Sequence, residues 1–304
     1  MPKLKIGTRG SPLALCQAHE TRRRLMAAHG LTEDQIEIVV ITTTGDRVRD
    51  RPLSEIGGKG LFTKEIEEAL FDKSIDLAVH SMKDMPARLT DGLVIAALLP
   101  REDPRDAFLS PVAANIGALA NGATVGCSSV RRTAQLKRLR PDLNVIQFRG
   151  NVETRLKKLD EGVAQATFLA CAGLNRLGLR DKITAIVPPE VMLPAVAQGC
   201  IGIEVREGDA VARDLVRPLD HEESAIAVTC ERSFLKALNG SCRTPVAGHA
   251  YLEQGRLRFR GQALTFDGSH CFETLREGLP ADAGRMGRDA GEEVKAAGGS
   301  LIAF

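Results

Sequence analysis

The chain has 304 residues, 43% of them hydrophobic, which is enough to bury a large core and predicts two or three domains. Its 41 basic and 39 acidic side chains nearly cancel, to a net charge of +2, so no global field recruits nucleic acid or a membrane. The N-terminus lacks an apolar core and no run of about 18 apolar residues occurs, which predicts a soluble, cytosolic protein. The seven cysteines are never three residues apart, so we expect neither a disulfide framework nor a protein-built metal site.

Strand-like and helix-like segments alternate along the first two thirds of the chain. The segment LKIGTRGSPLAL, from residue 4, predicts a strand, a loop and a helix, with Ser11 as its N-cap and Pro12 in its first turn. Further strands are predicted at 36–42, 75–81 and 92–99, and a helix at 61–72. The pattern then repeats, with strands at 123–127, 144–148 and 166–171 and helices at 128–139 and 151–162. Two such series predict an α/β protein with two lobes.

Two proline-marked segments, 99–108 and 187–199, are predicted to cross between the lobes. Beyond residue 220 the pattern changes to a helix capped by Asp220, with Glu223 at the capping-box spacing, then strands at about 246–276 and a last helix. This predicts a small third domain of the α+β class.

Charged side chains follow the predicted strands or, in the case of Lys59, come just before a predicted helix. They are Arg9, Lys59, Lys83 and Asp84 in the first lobe and, with two serines, Ser128, Ser129, Arg131, Arg132, Arg149 and Arg155 in the second. Ligands of open α/β sheets bind beyond the carboxyl ends of strands, so this pattern predicts a site for a polyanion. Five further cations fit a solvated helix face better: Lys137, Arg138, Arg140, Lys157 and Lys158. For Lys83 and Asp84 an ordinary surface turn is the alternative interpretation.

The motifs and the composition bear on three classes of polyanion: nucleotides, nucleic acid and small molecules that carry carboxylates. The segment GGKGLF, from residue 57, is neither a P-loop nor a dinucleotide fingerprint, because Gly60 and Thr63 stand where those motifs need other residues. With no Trp, one Tyr and 4% aromatic residues, the chain has little to stack on nucleic-acid bases. Small molecules that carry carboxylates remain, and arginine forks suit them.

Cysteine context separates one thiol from the others. Cys16 and Cys171 lie in apolar segments and are predicted to be small core residues. Cys242 lies in the polar loop NGSCRTPVAG beside Arg243, where exposure and a neighbouring cation favour the nucleophilic thiolate. A surface cysteine without a role is the alternative.

Eight motifs, in this order, span nearly the whole chain: TRGSPLAL, GGKGLF, AVHSMKD, REDPRDAF, SSVRR, FRGNVETRL, AGLNRLGL and LPAVAQG. Together they resemble the porphobilinogen deaminase (hydroxymethylbilane synthase) family. The resemblance implies a transferase of tetrapyrrole biosynthesis that condenses four porphobilinogen molecules head to tail, releasing ammonia, on a covalently bound dipyrromethane cofactor. It also implies two periplasmic-binding-protein-like lobes with mixed sheets, formed by 1–99 with 200–217 and by 100–199, and a third domain at 218–304 that carries the cofactor cysteine.

The resemblance also implies roles for individual residues. Asp84 matches the catalytic aspartate, and Cys242 matches the cysteine that holds the cofactor as a thioether. The remaining cofactor-binding positions are Ser81, Lys83, Ser129, Arg131 and Arg132. The substrate-binding positions are Arg9, Lys59, Arg149, Arg155 and Arg176, with Lys59 in a polar segment, 45–60, that resembles a mobile lid. Two positions depart from the family pattern, since Ser241 and Ala197 stand where glycine is common.

The implied chemistry passes through positive charge. Loss of ammonia from porphobilinogen leaves a cationic azafulvene, and formation of the next carbon–carbon bond creates a second cation. We hypothesise that Asp84, partly shielded from water, stabilises both and relays protons. A non-catalytic, cytosolic, bilobal carboxylate-binding module is the alternative function, and a nucleic-acid-binding protein is a more distant one. We expect a monomer whose partner is the small-molecule substrate.

Overall fold

This computed structural model describes residues 3–47, 63–241 and 244–302. The strands are β1 (Leu4–Arg9), β2 (Ile36–Ile41), β3 (Leu77–Ser81), β4 (Leu93–Leu98), β5 (Asp106–Leu109), β6 (Thr124–Gly126), β7 (Asn144–Ile146), β8 (Ala166–Ala170), β9 (Ala185–Val187), β10 (Ile201–Arg206), β11 (Val246–Glu253), β12 (Arg256–Leu264) and β13 (Cys271–Gly278). The helices are α1 (Pro12–His29), α2 (Thr44–Arg47), α3 (Lys64–Phe71), α4 (Val130–Leu139), α5 (Val152–Asp160), α6 (Cys171–Arg176), α7 (Ala210–Val216), α8 (Glu222–Ala237) and α9 (Ala283–Gly298). They belong to two compact units, Met1–Arg101 with Cys200–Ala225, and Glu102–Gly199 with Ile226–Phe304.

The first unit is built on a mixed sheet in the order β2-β1-β3-β10-β4, in which β10 runs antiparallel to both of its neighbours. Its main core packs Ile6, Leu77 and Ile203 of the sheet against Leu25 of α1. The predicted start of α1 is confirmed, because the Ser11 Oγ accepts a hydrogen bond from the Ala14 N–H at 3.3 Å and Pro12 follows. Strands β1 and β3 are parallel neighbours in this sheet and end at Arg9 and Ser81.

The second unit contains two sheets. One is mixed, in the order β7-β6-β8-β5-β9, with β5 antiparallel to β8 and β9. The other is the antiparallel meander β11-β12-β13, against which α9 packs. Helices α8 and α9 approach closely at Gly287, where a Cβ atom would lie 2.0 Å from the Cys230 carbonyl oxygen, so only glycine fits. The predicted α/β class, with two mixed sheets and a smaller α+β part, is confirmed.

One predicted helix start is wrong. Helix α8 begins at Glu222, and the Asp220 carboxylate accepts a hydrogen bond from the Leu98 N–H at 2.8 Å instead of capping it. The Nδ1 atom of His221 accepts a hydrogen bond from the Ser224 N–H at 3.3 Å in its place. An aspartate at this position therefore ties the helix start to β4.

Candidate active site

The end of β3 carries the segment with Lys83 and Asp84. The strand stops at Ser81, and a single 3-10 turn, Met82–Asp84, follows. Met82 anchors the turn, since its side chain is buried and its N–H donates to the Cys200 carbonyl at 3.0 Å. In a strand, Lys83 and Asp84 would point to opposite faces, and the turn removes that restriction.

Asp84 lines a small pocket of the first unit that is open to solvent. Arg9 and Ser81 line it too, so three of the predicted site residues come together here. Lys83 is half-buried and lies outside this lining. The Asp84 side chain is exposed, so the described residues alone do not give it the shielding from water that the sequence led us to expect.

The first turns of α1 form one wall of this pocket. Ser11, Ala14 and Gln17 all line it, and Gln17 is buried. The unpaired N–H groups at the start of a helix carry partial positive charge and favour anions. Because Arg9 also supplies a positive charge, the pocket suits a carboxylate.

A buried pair that sequence reasoning missed lies at the same pocket. His80 lines it, and its Nε2 atom lies 3.0 Å from the Oε2 atom of Glu204, a fully buried carboxylate on β10. The second oxygen of Glu204 has no hydrogen-bond partner among the described residues. The available signal was a glutamate inside the apolar strand IGIEVR, because a buried acid needs a partner.

In the second unit, α4 presents Arg131 and Arg132. The Ser129 Oγ caps this helix by accepting a hydrogen bond from the Arg132 N–H at 3.4 Å. Both guanidinium groups are buried and bind the fully buried Asp106 of β5, with Nη1 of Arg131 at 2.7 Å from Oδ2 and Nη2 of Arg132 at 2.6 Å from Oδ1. Asp106 is a further residue that sequence reasoning missed, although an aspartate at the start of an otherwise apolar strand is a signal for a buried acid.

The charge of this cluster follows from its composition. Burial alone would raise the pKa of Asp106, but the positive charges of Arg131 and Arg132 and their hydrogen bonds hold it well below its ordinary value. One carboxylate faces two guanidinium groups, so one positive charge remains for a ligand. Within the described residues, hydrogen bonds to Asp106, Leu193 and Phe168 occupy three of the five N–H groups of each arginine.

The other predicted arginines of the second unit lie after β7, within α5 and at the end of α6. The Nε atom of Arg155 donates to the Gly150 carbonyl at 2.8 Å, and Nζ of Lys158 donates to the Arg149 carbonyl at 3.0 Å. Arg176 is the last residue of α6. All three arginines are half-buried, whereas Lys157 is exposed and lies 3.7 Å from Glu161, as predicted for a solvated helix face.

Two predicted site residues, Lys59 and Cys242, lie outside the described residues, as does most of the segment 45–60. The other cysteines divide by burial. Cys171 is fully buried, which confirms it as a core residue, and burial raises the pKa of its thiol to about 12. Cys16 is only half-buried.

Comparison with known proteins assigns the chain to a family. Residues 4–214 match the family model described as porphobilinogen deaminase, dipyromethane cofactor binding domain, and residues 225–296 match the one described as porphobilinogen deaminase, C-terminal domain. The porphobilinogen deaminase of Paracoccus denitrificans is 60% identical over 292 residues, which cover 96% of this chain and 93% of that protein.

Among solved structures, the VFT2 domain of BvgS from Bordetella pertussis is 15% identical with a TM-score of 0.42, over 71% of this chain and 84% of that one. A Salmonella typhimurium periplasmic binding protein described for its high arginine specificity is 12% identical with a TM-score of 0.41, over 72% and 92%. Similarity at this level says nothing further about the chain. The two family models and the Paracoccus relative show that the chain belongs to the porphobilinogen deaminase family. These are the transferases that make hydroxymethylbilane for tetrapyrrole biosynthesis on a dipyrromethane cofactor.

Proposed function

We propose that Asp84 is the catalytic carboxylate with which this chain condenses four porphobilinogen molecules head to tail. One observation carries the proposal: an aspartate lines the same pocket as Arg9 and the start of α1, which both suit anions. A carboxylate in such surroundings does not serve to bind the acid arms of porphobilinogen. Its partner is therefore positively charged, and we take this partner to be the cations that form during the reaction.

The proposed mechanism follows the charge. Ammonia leaves the protonated aminomethyl group of porphobilinogen with the electron pair of the C–N bond, so the positive charge moves onto the pyrrole as an azafulvene, which a fixed carboxylate stabilises. Formation of the next carbon–carbon bond places positive charge on a second pyrrole, and removal of its ring proton restores the neutral ring. Asp84 stabilises this cation as well and moves the proton. One side chain thus acts in each of the four condensations.

The dipyrromethane cofactor, when bound, supplies the pyrrole carbon from which the chain of pyrroles grows. The donor set fits a group with carboxylate arms: Arg131 and Arg132 already hold the carboxylate of Asp106, and the buried Nε of Arg131 has no partner among the described residues. We assign the covalent attachment to Cys242, which lies outside the described residues. The other proposed cofactor-binding residues are Ser81, Lys83, Ser129, Arg131 and Arg132.

The acid arms of porphobilinogen need cations of their own. We assign them to Arg9 in the pocket of the first unit and to Arg149, Arg155 and Arg176 in the second, with Lys59 as a further candidate. Half-burial suits this task, since a partly desolvated guanidinium binds a carboxylate more strongly than an exposed one. We further propose a cytosolic monomer that binds no nucleic acid. No helix of the described residues is both long and apolar enough to cross a membrane.

Intact-mass measurement tests the covalent part of the proposal. The purified chain should carry an adduct with the mass of two linked pyrroles, and Cys242→Ser should lack it. Cys271→Ser is the matched control, because Cys271 is a half-buried cysteine of the same C-terminal segment and should leave the adduct in place. A wild-type chain without any adduct would favour the carboxylate-binding module instead.

A further inference from the structure

The backbone is strained at Ala197, in the segment that leads out of the second unit. Ala197 is fully buried and has a φ angle of +59°, in the left-handed region that residues with a Cβ atom rarely adopt. Such a conformation persists only where the surroundings over-determine it. The contacts that do so here identify a residue that no part of the proposed mechanism has used.

The main contact is a buried carboxylate on α8. Glu231 is fully buried, and its Oε2 atom accepts a hydrogen bond from the Ala197 N–H at 2.5 Å. Its Oε1 atom accepts one from the Ala250 N–H of β11 at 2.7 Å. Hydrogen bonds to a charged acceptor are among the stronger ones in proteins. Glu231 therefore fastens the strained turn to the C-terminal part of the unit.

The next residue, Gln198, connects the strained turn to the arginine cluster. The Nε2 atom of Gln198 donates to the Pro104 carbonyl at 2.6 Å and to Oδ1 of Asp106 at 2.9 Å. The direction of the Gln198 side chain depends on the backbone at Ala197. The left-handed turn thus sets the position of one of the groups that hold Asp106.

Asp106 completes the connection, because it binds both Arg131 and Arg132. We infer that Glu231 is a positioning residue for this arginine pair, acting through the strained turn at Ala197 and the side chain of Gln198. The inference rests on the proposed role of the pair in binding carboxylate arms. It gives the C-terminal segment, which carries Cys242, a second task besides holding the cofactor.

Glu231→Gln tests the inference, because the amide keeps the size of the side chain and loses its charge. We expect the fraction of purified chain that carries the dipyrromethane adduct, read by intact mass, to fall about tenfold, because the displaced arginines no longer hold the carboxylates of the cofactor. Hydrogen exchange of the 194–199 segment should rise in the same variant, a readout that does not depend on activity. Glu223→Gln, an exposed glutamate of the same helix, is the matched control and should change neither quantity.

A second substitution distinguishes positioning from general loss of structure. Glycine adopts the left-handed conformation without strain, so Ala197→Gly alone should leave the fraction of chain that carries the adduct within about twofold of the wild-type value. Combined with Glu231→Gln it should restore that fraction to near the wild-type value, because the turn then no longer needs its hydrogen bond to Glu231. A double variant with as little adduct as Glu231→Gln, or a wild-type adduct fraction in Glu231→Gln, would overturn the inference. If Glu231→Gln does not fold, Glu231→Asp with and without Ala197→Gly makes the same comparison.

Failure of the proposed function would look different. In that case Asp84→Asn, measured alongside, would keep near-normal turnover. If Asp84→Asn is inactive while Glu231→Gln carries the adduct as fully as the wild type, only the inference about Glu231 fails.

Discussion

The two units contain two aspartates that the fold treats in opposite ways. Asp106 is fully buried and accepts five hydrogen bonds, from Arg131, Arg132 and Gln198. Asp84 is exposed at a pocket and follows a single 3-10 turn. A carboxylate whose hydrogen-bonding capacity is filled by the protein holds structure in place, whereas one left open to a pocket is available for chemistry. Substitution of Asp106 should therefore lower the free energy of unfolding, whereas substitution of Asp84 should lower the reaction rate.

Asp106→Asn should have the largest effect on stability. Removal of the carboxylate leaves two buried guanidinium groups without their counter-charge, which costs about 3–5 kcal/mol of unfolding free energy. Denaturant unfolding measures the loss. Asp142→Asn is the control, because Asp142 is an exposed aspartate of the same unit paired with Arg140, and it should be nearly neutral. Equal stability of the two variants would contradict the role assigned to Asp106.

The same aspartate predicts a pH dependence. Its pKa lies below the ordinary value of 3.8, so its contribution to stability is complete above about pH 4 and is lost as the pH falls towards its folded-state pKa. The wild-type unfolding free energy should therefore fall with acidification below pH 4. In Asp106→Asn the part of this fall that Asp106 causes should be absent.

Arg155→Gln should have a smaller effect, and on binding rather than stability. Loss of one charged hydrogen bond to a carboxylate arm raises KM by about tenfold to a hundredfold. Lys157→Gln is the control on the same helix, since Lys157 is exposed and pairs only weakly with Glu161. Similar KM values for the two variants would show that α5 contributes no specific cation.

The sequence predicted the elements well where local patterns decide. Ser11 and Pro12 identified the start of α1, and the apolar alternation identified the strands that end at Arg9 and Ser81. It was wrong at Asp220, because a capping aspartate and one that binds a neighbouring strand have the same local pattern. Only the tertiary partner, the N–H of Leu98, distinguishes them.

For the candidate site the sequence supplied residues but not all of their partners. Cations after strands and the family motifs led us to propose Arg9, Asp84 and the arginines of α4 as site residues, and this assignment stays a prediction. The acids Asp106 and Glu204 were missed, because their partners are distant in sequence and only the sheets bring them together. In the sequence, the only sign of strain at Ala197 was that glycine is common at this position. The positive φ angle itself is seen only in the structure.

Single-turnover release of ammonia by Asp84→Asn tests the central claim most directly. The substitution removes a negative charge from an exposed side chain, so the fold and the binding of the first porphobilinogen should be nearly unchanged. Release of ammonia from that molecule should slow by about 10²–10³-fold, because the cation that forms loses its counter-charge. Asp91→Asn, an exposed aspartate of the same unit, should release ammonia at the wild-type rate. Release by Asp84→Asn at that same rate would contradict the account.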